Sequence, residues 1–148
     1  MSRPAPAMSD ADYERLLGVR TALRRFQQWS EAQARSQGLT PAQHQLLLTI
    51  KGHPDPQGPS MGEIADYLCI RHHSTVELVN RAETAGYVVR RPDPDNARVV
   101  RVVLSRSGDA KIRLLSPAGL DELSLPAQLL VDLAAYSGEA GNGAPPAT

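Results

Sequence analysis

The sequence predicts a mainly helical protein that carries one small β-hairpin. Apolar residues recur at helical spacing in several segments, and two of these begin with a hydroxyl residue followed three positions later by Gln or Glu. Two runs rich in β-branched residues, YVVRR and RVVRVVL, flank the turn-forming stretch PDPDNA. The 148 residues are enough for one domain with additional helices.

We expect the first helix to run from about residue 10 to residue 37 and to end at Gly38. Its apolar residues approximate a helical spacing: Tyr13, Leu16, Leu17, Leu23 and Phe26. Thr40 and Gln43 form a predicted capping box, with Pro41 at the first helical position. They start a second helix, which is apolar on most faces and should lie at the centre of the core.

A helix-turn-helix follows the second helix. Ser60 and Glu63 form another predicted capping box, and a short helix runs from there to about Leu68. Residues 69–71 form a tight turn, and a third helix is expected over about His72–Ala85. This pattern of two helices joined by a short turn is typical of DNA-binding proteins.

The predicted hairpin has strands over Tyr87–Arg91 and Arg98–Leu104. The chain looks helical again from Ser105, with a restart at Ser116 and a break or kink at Pro126. This order of elements predicts a winged helix-turn-helix with N- and C-terminal dimerisation helices.

The domain organisation follows from these elements. The apolar faces of the first and last helices have no partner within a small winged domain, which predicts a homodimer. We expect disordered tails over 1–9 and 137–148, one winged domain over 10–136, dimerisation helices over about 10–38 and 106–136, and a DNA-binding core over about 40–105.

The charge of the chain is unevenly distributed although its formal net charge is zero. Residues 71–113 carry nine basic and five acidic side chains, whereas residues 114–148 carry four acids and no Lys or Arg. A basic middle segment favours a polyanionic partner, and an ordinary solvated surface is the open alternative.

Several classes of protein are disfavoured by composition. No apolar run approaches the roughly 20 residues that span a bilayer, and the first residues lack the apolar stretch of a signal peptide. The single cysteine excludes an internal disulfide and a cysteine-rich zinc site. We therefore expect a cytoplasmic protein without a membrane partner or a cofactor.

The third helix and the hairpin carry the candidate DNA contacts. Val76, Val79 and Ala82 should face the core, which leaves the N-terminal turn and the opposite face for base edges and phosphates. The candidate DNA-binding residues are Arg71, His72, His73, Ser74, Thr75, Glu77, Arg81 and Arg98. For Ser74 and Thr75, helix capping is an equally open alternative.

Adjacent histidines do not predict a metal site here. His72 and His73 would point about 100° apart on a helix, which suits chelation of one ion poorly. At the hairpin, Arg98 is the better candidate for the minor groove, where negative potential attracts arginine. Strand alternation assigns Arg101 to the other face, where it can be structural.

The sequence resembles the MarR family of bacterial transcription regulators. The resemblance is carried by LTPAQHQLLLTIKG and by MGEIADYLCIRHHSTVELVNRAETAGYVVRRPDPDNARVVRVVLSRSG, which keep the family register over about residues 10–125. The hairpin arginine and the closing L-S/T-x-x-G make the match specific. The resemblance implies a homodimer that binds double-stranded DNA at a roughly palindromic operator.

Two positions depart from the family pattern. The family's wing usually carries Asp-x-Arg, in which the acid orients the arginine, whereas this chain has Asn96 and Arg98. Cys69 stands in the turn where many such motifs have Gly. Either it adopts positive φ at a cost of about 1 kcal/mol, or the turn avoids positive φ. We expect Cys69 to be a small buried hydrophobe rather than a redox sensor.

The family often binds aromatic carboxylates or phenols, so the resemblance implies a possible small aromatic effector. Arg24, Trp29 and His44 are the candidate ligand-binding residues, through charge, stacking and hydrogen bonding. The alternative is that Phe26 and Trp29 pack against a partner subunit, as aromatic residues at helical spacing usually do.

We interpret the chain as a dimeric sequence-specific transcription regulator, a repressor released by a small ligand. A winged-helix module for protein–protein interaction is the alternative, supported by Asn96, Glu77 and the zero net charge. A steep dependence of DNA binding on salt would favour the regulator. We expect no enzyme, because the chain has no G-x-S-x-G, H-E-x-x-H or phosphate-binding glycine motif.

Overall fold

The computed structural model describes residues 7–140, including all side chains except those of 116–119 and 136–140. The observed elements follow the predicted order and confirm a mainly helical fold with one antiparallel hairpin. They are α1 (Asp10–Ser36), α2 (Pro41–Gly52), α3 (Met61–Leu68), α4 (His72–Thr84), β1 (Val88–Pro92), β2 (Val100–Leu104), α5 (Arg106–Glu122) and α6 (Ser124–Ala140).

The chain divides into two compact units. The first unit contains the residues up to Trp29 and from Gly119 onward, and the second unit contains Ser30–Ala118. Within residues 7–140, no helix is long and apolar enough to cross a membrane.

The second unit has a closed hydrophobic core. It brings together the end of α1, the three following helices, the hairpin and the first part of α5. Its fully buried side chains include Leu46, Leu47, Ile64, Val79 and Val102. Burying an aliphatic side chain of this size contributes about 1.5–3 kcal/mol, so this cluster fixes the helix-turn-helix.

Both predicted capping boxes are present. Thr40 Oγ1 accepts the N–H of Gln43 at 3.1 Å, while the Gln43 side chain accepts the N–H of Thr40 at 3.1 Å. Ser60 and Glu63 make the same reciprocal pair, each bond at 3.2 Å. These local bonds satisfy backbone donors that a helix start leaves unpaired.

The two strands of the hairpin pair along their whole length. Val88 pairs with Leu104, and Pro92 pairs with Val100. β1 ends one residue later than predicted and β2 begins two residues later, so the connection over residues 93–99 is one residue longer than expected. The loop before α3 adds an isolated bridge between Ser60 and Arg101, so the wing is attached to the helix-turn-helix directly.

The C-terminal helices differ from the sequence prediction. The predicted restart at Ser116 is wrong, because α5 continues through Pro117. The break falls at Leu123, and Pro126 lies in the first turn of α6, where a missing N–H costs nothing.

The predicted tails overlap the described residues only in part. α6 runs to Ala140, so the tail predicted from residue 137 begins too early. The segments 1–6 and 141–148 of the predicted tails lie outside the described residues.

Candidate nucleic-acid interface

The turn between α3 and α4 depends on Cys69. Its backbone adopts the left-handed conformation, with φ 54° and ψ 42°. The N–H of Ile70 then donates to the carbonyl of Ala65 at 3.1 Å, which closes the end of α3. The sequence left two alternatives for this turn, and the structure selects the strained one.

The expectation that Cys69 is buried is wrong, because the residue is exposed. Its thiol lies 3.7 Å from the carbonyl of Asp66, to which it donates.

The N-terminal turn of α4 presents polar side chains to solvent. Arg71 precedes the helix and makes no side-chain cap bond, and His72 and His73 are also exposed. Ser74 is half-buried, whereas Glu77 and Arg81 are exposed further along the helix. The exposed candidates other than Arg98 therefore lie in α4 or directly before it, within the second unit.

Thr75 is a correction to the candidate set. Its side chain is 0% exposed, and its hydroxyl donates to the carbonyl of Arg71 at 3.0 Å. Because that bond satisfies the hydroxyl, Thr75 can join Val79 and Ala82 on the buried face of α4. Val76, which was expected to face the core, is half-buried.

The β1–β2 hairpin is the wing of this fold, and its tip, residues 93–99, is an ordered turn. Asp93 Oδ1 accepts the N–H of Asp95 at 2.8 Å and the N–H of Asn96 at 3.0 Å. The amide oxygen of Asn96 accepts the backbone N–H of Arg98 at 3.1 Å. Asn96 therefore acts on the backbone of Arg98, and the Arg98 side chain is exposed.

Arg101 is a structural residue, as strand alternation predicted. Its Nε donates to Asp93 Oδ2 at 2.8 Å, and its Nη1 donates to Glu63 Oε1 at 3.0 Å and to the carbonyl of Gly58 at 3.3 Å. Hydrogen bonding to Arg101 lowers the pKa of Asp93, and the same bond raises the pKa of Arg101. Both groups therefore stay charged at neutral pH.

His53 extends this cluster below the wing. Its Nδ1 accepts the N–H of Asp55 at 3.2 Å, which leaves Nε2–H to donate to Glu63 Oε2 at 2.8 Å. The bond from His53 is the main reason why the pKa of Glu63 is lowered. The sequence did not predict that Asp93, Glu63 and His53 form one cluster with Arg101, because they are 8 to 48 positions away from it.

The two arginines of β1 have different surroundings. Arg90 donates to Glu83 at 2.9 Å and to the side chain of Asn80, so it is held against α4. Arg91 is exposed, and within residues 7–140 it has no hydrogen-bond or ion-pair partner. Arg91 is therefore the better candidate of the two for a phosphate contact.

The candidate ligand-binding residues lie in different units. Arg24 is exposed and Trp29 is half-buried in the first unit, where the Trp29 ring centroid lies 6.1 Å from that of Phe26. His44 is half-buried in the second unit, and burial lowers its pKa. Their role in binding a ligand stays a prediction.

The first unit contains a groove of about 540 Å³. Leu17, Ala22, Phe26, Leu125 and Leu129 give the groove apolar walls, and Glu14, Arg25 and Glu122 add charge. Arg24 and Trp29 do not line it, although their neighbours Arg25 and Phe26 do.

Metal ligands do not cluster in the part of the chain that the structure describes. No group of three or more His, Cys, Asp or Glu side chains there is arranged to hold an ion.

A three-helix core, a tight turn before an exposed helix, and an antiparallel hairpin define a winged helix-turn-helix protein. Residues 37–99, which contain α2 to β1 and most of the wing tip, match the MarR family model. The resemblance drawn from the sequence is thereby confirmed for this segment, and the chain has the fold of MarR family transcription regulators.

Solved structures of MarR family proteins are similar to the chain over most of its length. AbsC from Streptomyces coelicolor is 18% identical with a TM-score of 0.66, over 87% of this chain and 84% of that one. A mutant of MarR from E. coli complexed with operator DNA is 20% identical with a TM-score of 0.61, over 82% and 86%.

A third similar structure is also a DNA complex. MepR from S. aureus, solved with DNA, is 18% identical with a TM-score of 0.56, over 82% of this chain and 96% of that one. No curated protein sequence matches the chain.

Proposed function

We propose that the protein is a dimeric, sequence-specific regulator of transcription that binds double-stranded DNA and is not an enzyme. The observation that carries this proposal is the joint exposure of two DNA-binding elements in the second unit. The first turn of α4 presents Arg71, His72 and His73, and the ordered wing tip presents Arg98. Similar proteins have been solved with DNA, which supports the proposal.

The two elements have separate tasks. Arg71 contacts phosphate, and the next residues of α4 approach base edges in the major groove. Glu77 and Arg81 lie further along this face, where Glu77 accepts from a cytosine amine or discourages nonspecific binding. Arg98 enters the minor groove.

A homodimer follows from the apolar surface of the first unit. Leu17 of α1, Leu120 of α5, and Leu125 and Val131 of α6 are between 62% and 75% exposed, which is unusual for large aliphatic side chains. A second copy of the chain would cover them. Two-fold symmetry would then place two α4 helices one DNA turn apart, which implies a roughly palindromic operator.

Control by a small ligand is the most specific part of the proposal. A small aromatic acid or phenol that changes the distance between the two α4 helices would release the operator, so the protein would act as a repressor. Arg24, Trp29 and His44 are the candidate ligand-binding residues, the first two in the first unit and His44 in the second. The groove of about 540 Å³ in the first unit, which Arg25 and Phe26 line, is large enough for such a molecule.

The test begins with selection of a duplex from a random pool by the wild-type protein. Fluorescence anisotropy then compares the selected duplex with a scrambled one over a range of salt concentrations. A sequence-specific regulator prefers the selected duplex, and its affinity falls steeply with salt. Arg98→Ala should weaken binding by about tenfold or more, within the range for loss of a specific arginine contact.

Arg106→Ala is the matched control, because Arg106 is also exposed but lies at the start of α5. Its affinity should stay within about twofold of the wild type. Equal weak binding to both duplexes, or no binding at low salt, would reject the regulator in favour of a protein-interaction module. Sedimentation analysis tests the dimer, which Leu125→Asp should dissociate.

A further inference from the structure

We propose that Asp93 is a positioning residue for DNA binding: clamped by Arg101, it orders the wing tip and so holds Arg98 in place. It thereby substitutes for the acid that the wing lacks at Asn96. This inference rests on the proposed function, because it assumes that Arg98 contacts DNA.

Both oxygens of Asp93 are engaged, and they have different tasks. Oδ1 accepts two successive N–H groups of the tip, those of Asp95 and Asn96. Oδ2 accepts a hydrogen bond from Nε–H of Arg101 at 2.8 Å. The side chain is only 11% exposed, although it lies at the end of a hairpin. One carboxylate therefore joins the backbone of the tip to the body of the wing.

The backbone of the tip is closed by two further bonds. The N–H of Asp93 donates to the carbonyl of Val99 at 2.9 Å, and the N–H of Val99 donates to the carbonyl of Asn96 at 3.0 Å. Arg98 lies inside this closed segment, so its Cα position depends on the turn that Asp93 caps.

The clamp also connects the tip to the helix-turn-helix. Arg101 reaches Glu63, and Glu63 belongs to the capping box that starts α3. His53, whose side chain is 3% exposed, holds the other oxygen of Glu63. The path from Asp93 to Glu63 therefore fixes the wing tip relative to α3, the helix that precedes α4.

If Asp93 positions Arg98, Asp93→Ala should change the affinity for DNA in the opposite direction from that expected if Asp93 is only a negative charge. If the carboxylate were only a negative charge near DNA, its removal would reduce repulsion and tighten binding. If it positions Arg98, its removal weakens binding because the tip loses order. Asp95→Ala is the matched control, since its exposed carboxylate accepts no hydrogen bond among the described residues.

The experiment measures anisotropy with the duplex selected by the wild-type protein. Asp93→Ala should weaken binding by about tenfold, the factor expected for loss of a charge-assisted bond. Asp93→Asn should fall between this variant and the wild type, because an amide oxygen can still cap the tip. Asp95→Ala should bind as tightly as the wild type or more tightly.

A double-mutant cycle with Arg98→Ala separates positioning from general damage. In the Arg98→Ala background, Asp93→Ala should cost less than about twofold, since there is no arginine left to position. An undiminished cost in that background, or tighter binding by Asp93→Ala alone, would overturn the proposal. If Arg98→Ala itself has no effect, the proposed role of Arg98 fails first, and the inference falls with it.

Amide hydrogen exchange gives a readout that needs no DNA. In Asp93→Ala, the amides of Asp95, Asn96 and Arg98 should exchange faster, while those of α2 should be unchanged. Unchanged exchange at the tip would refute the clamp even if DNA binding were weaker.

Discussion

Replacing Gly58 by alanine should destabilise the second unit more than the same replacement at three other glycines. Gly58 precedes the segment that pairs with β2, and it has φ +85°. A Cβ at this position would lie 2.1 Å from the carbonyl oxygen of Val102 and 3.1 Å from a methyl carbon of Val103. Those atoms belong to the wing, so the wing and the loop could not keep their present separation.

The size of the effect follows from three costs. A left-handed residue with a Cβ costs about 1 kcal/mol. Opening the contact by more than about 1 Å strains the packing of Val102, which is fully buried, by about 1–3 kcal/mol. The bond from the Val102 N–H to the Pro59 carbonyl, 2.9 Å long, is weakened as well, and it contributes about 1 kcal/mol. We expect a loss of about 2–5 kcal/mol.

Three other glycines separate these causes. Gly86 has φ +83° and nothing within 4 Å, so Gly86→Ala should cost only the backbone term of about 1 kcal/mol. Gly108 has no positive φ, but its Cβ would lie 2.0 Å from the Tyr87 carbonyl oxygen, so Gly108→Ala measures the clash alone. Gly52 has neither problem, and Gly52→Ala should be neutral or stabilise by up to about 1 kcal/mol.

The assay is urea denaturation followed by circular dichroism at one fixed protein concentration, because a dimer would make stability depend on concentration. The expected order of destabilisation is Gly58→Ala, then Gly108→Ala and Gly86→Ala, then Gly52→Ala. If Gly58→Ala lost no more stability than Gly86→Ala, the close approach of the loop to β2 would be refuted.

Three further predictions concern stability. Cys69→Gly should raise the free energy of unfolding by about 1 kcal/mol by relieving the left-handed turn, whereas Cys69→Val should lower it; equal denaturation midpoints would contradict this. Bonding lowers the pKa of Glu63, so its contribution is present at neutral pH and is lost as the pH falls through the lowered value. The difference in stability between wild type and Glu63→Gln should therefore shrink as the pH falls below the ordinary pKa of a glutamate carboxyl and through the lowered one, and a constant difference would be the contrary result. Asp109 pairs with Lys51 and Arg113, which lower its pKa, yet all three side chains are accessible to water. Asp109→Asn should cost little stability and still less at about 1 M salt, and a salt-independent cost would speak against a surface pair.

The parts of the fold that were predictable depend on local rules. A capping box joins residues three positions apart, so Thr40, Gln43, Ser60 and Glu63 could be recognised from spacing alone. Which side chains of α4 face the core was harder to predict, because Thr75 and Val76 are adjacent and only packing decides which one is buried. A satisfied hydroxyl placed Thr75 inside, against the expectation from polarity.

The candidate interface was also predictable only where it depends on local rules. The exposed turn of α4 and the position of Arg98 follow from element order and register. The clamp that orders the wing joins Arg101 to Glu63, which is 38 positions away, and no local pattern predicts that contact. The burial of Cys69 was predicted wrongly because average preferences for cysteine do not describe a left-handed helix end.

Cys69 also gives the chain a built-in place for a reporter group. It is the only thiol in 148 residues, and it lies exposed in the turn that leads into α4. A maleimide-linked nitroxide would therefore attach at one place without any substitution. In a two-fold assembly the two labels would form a pair, and pulsed electron resonance would measure the spacing of the two α4 helices with and without DNA or a candidate effector.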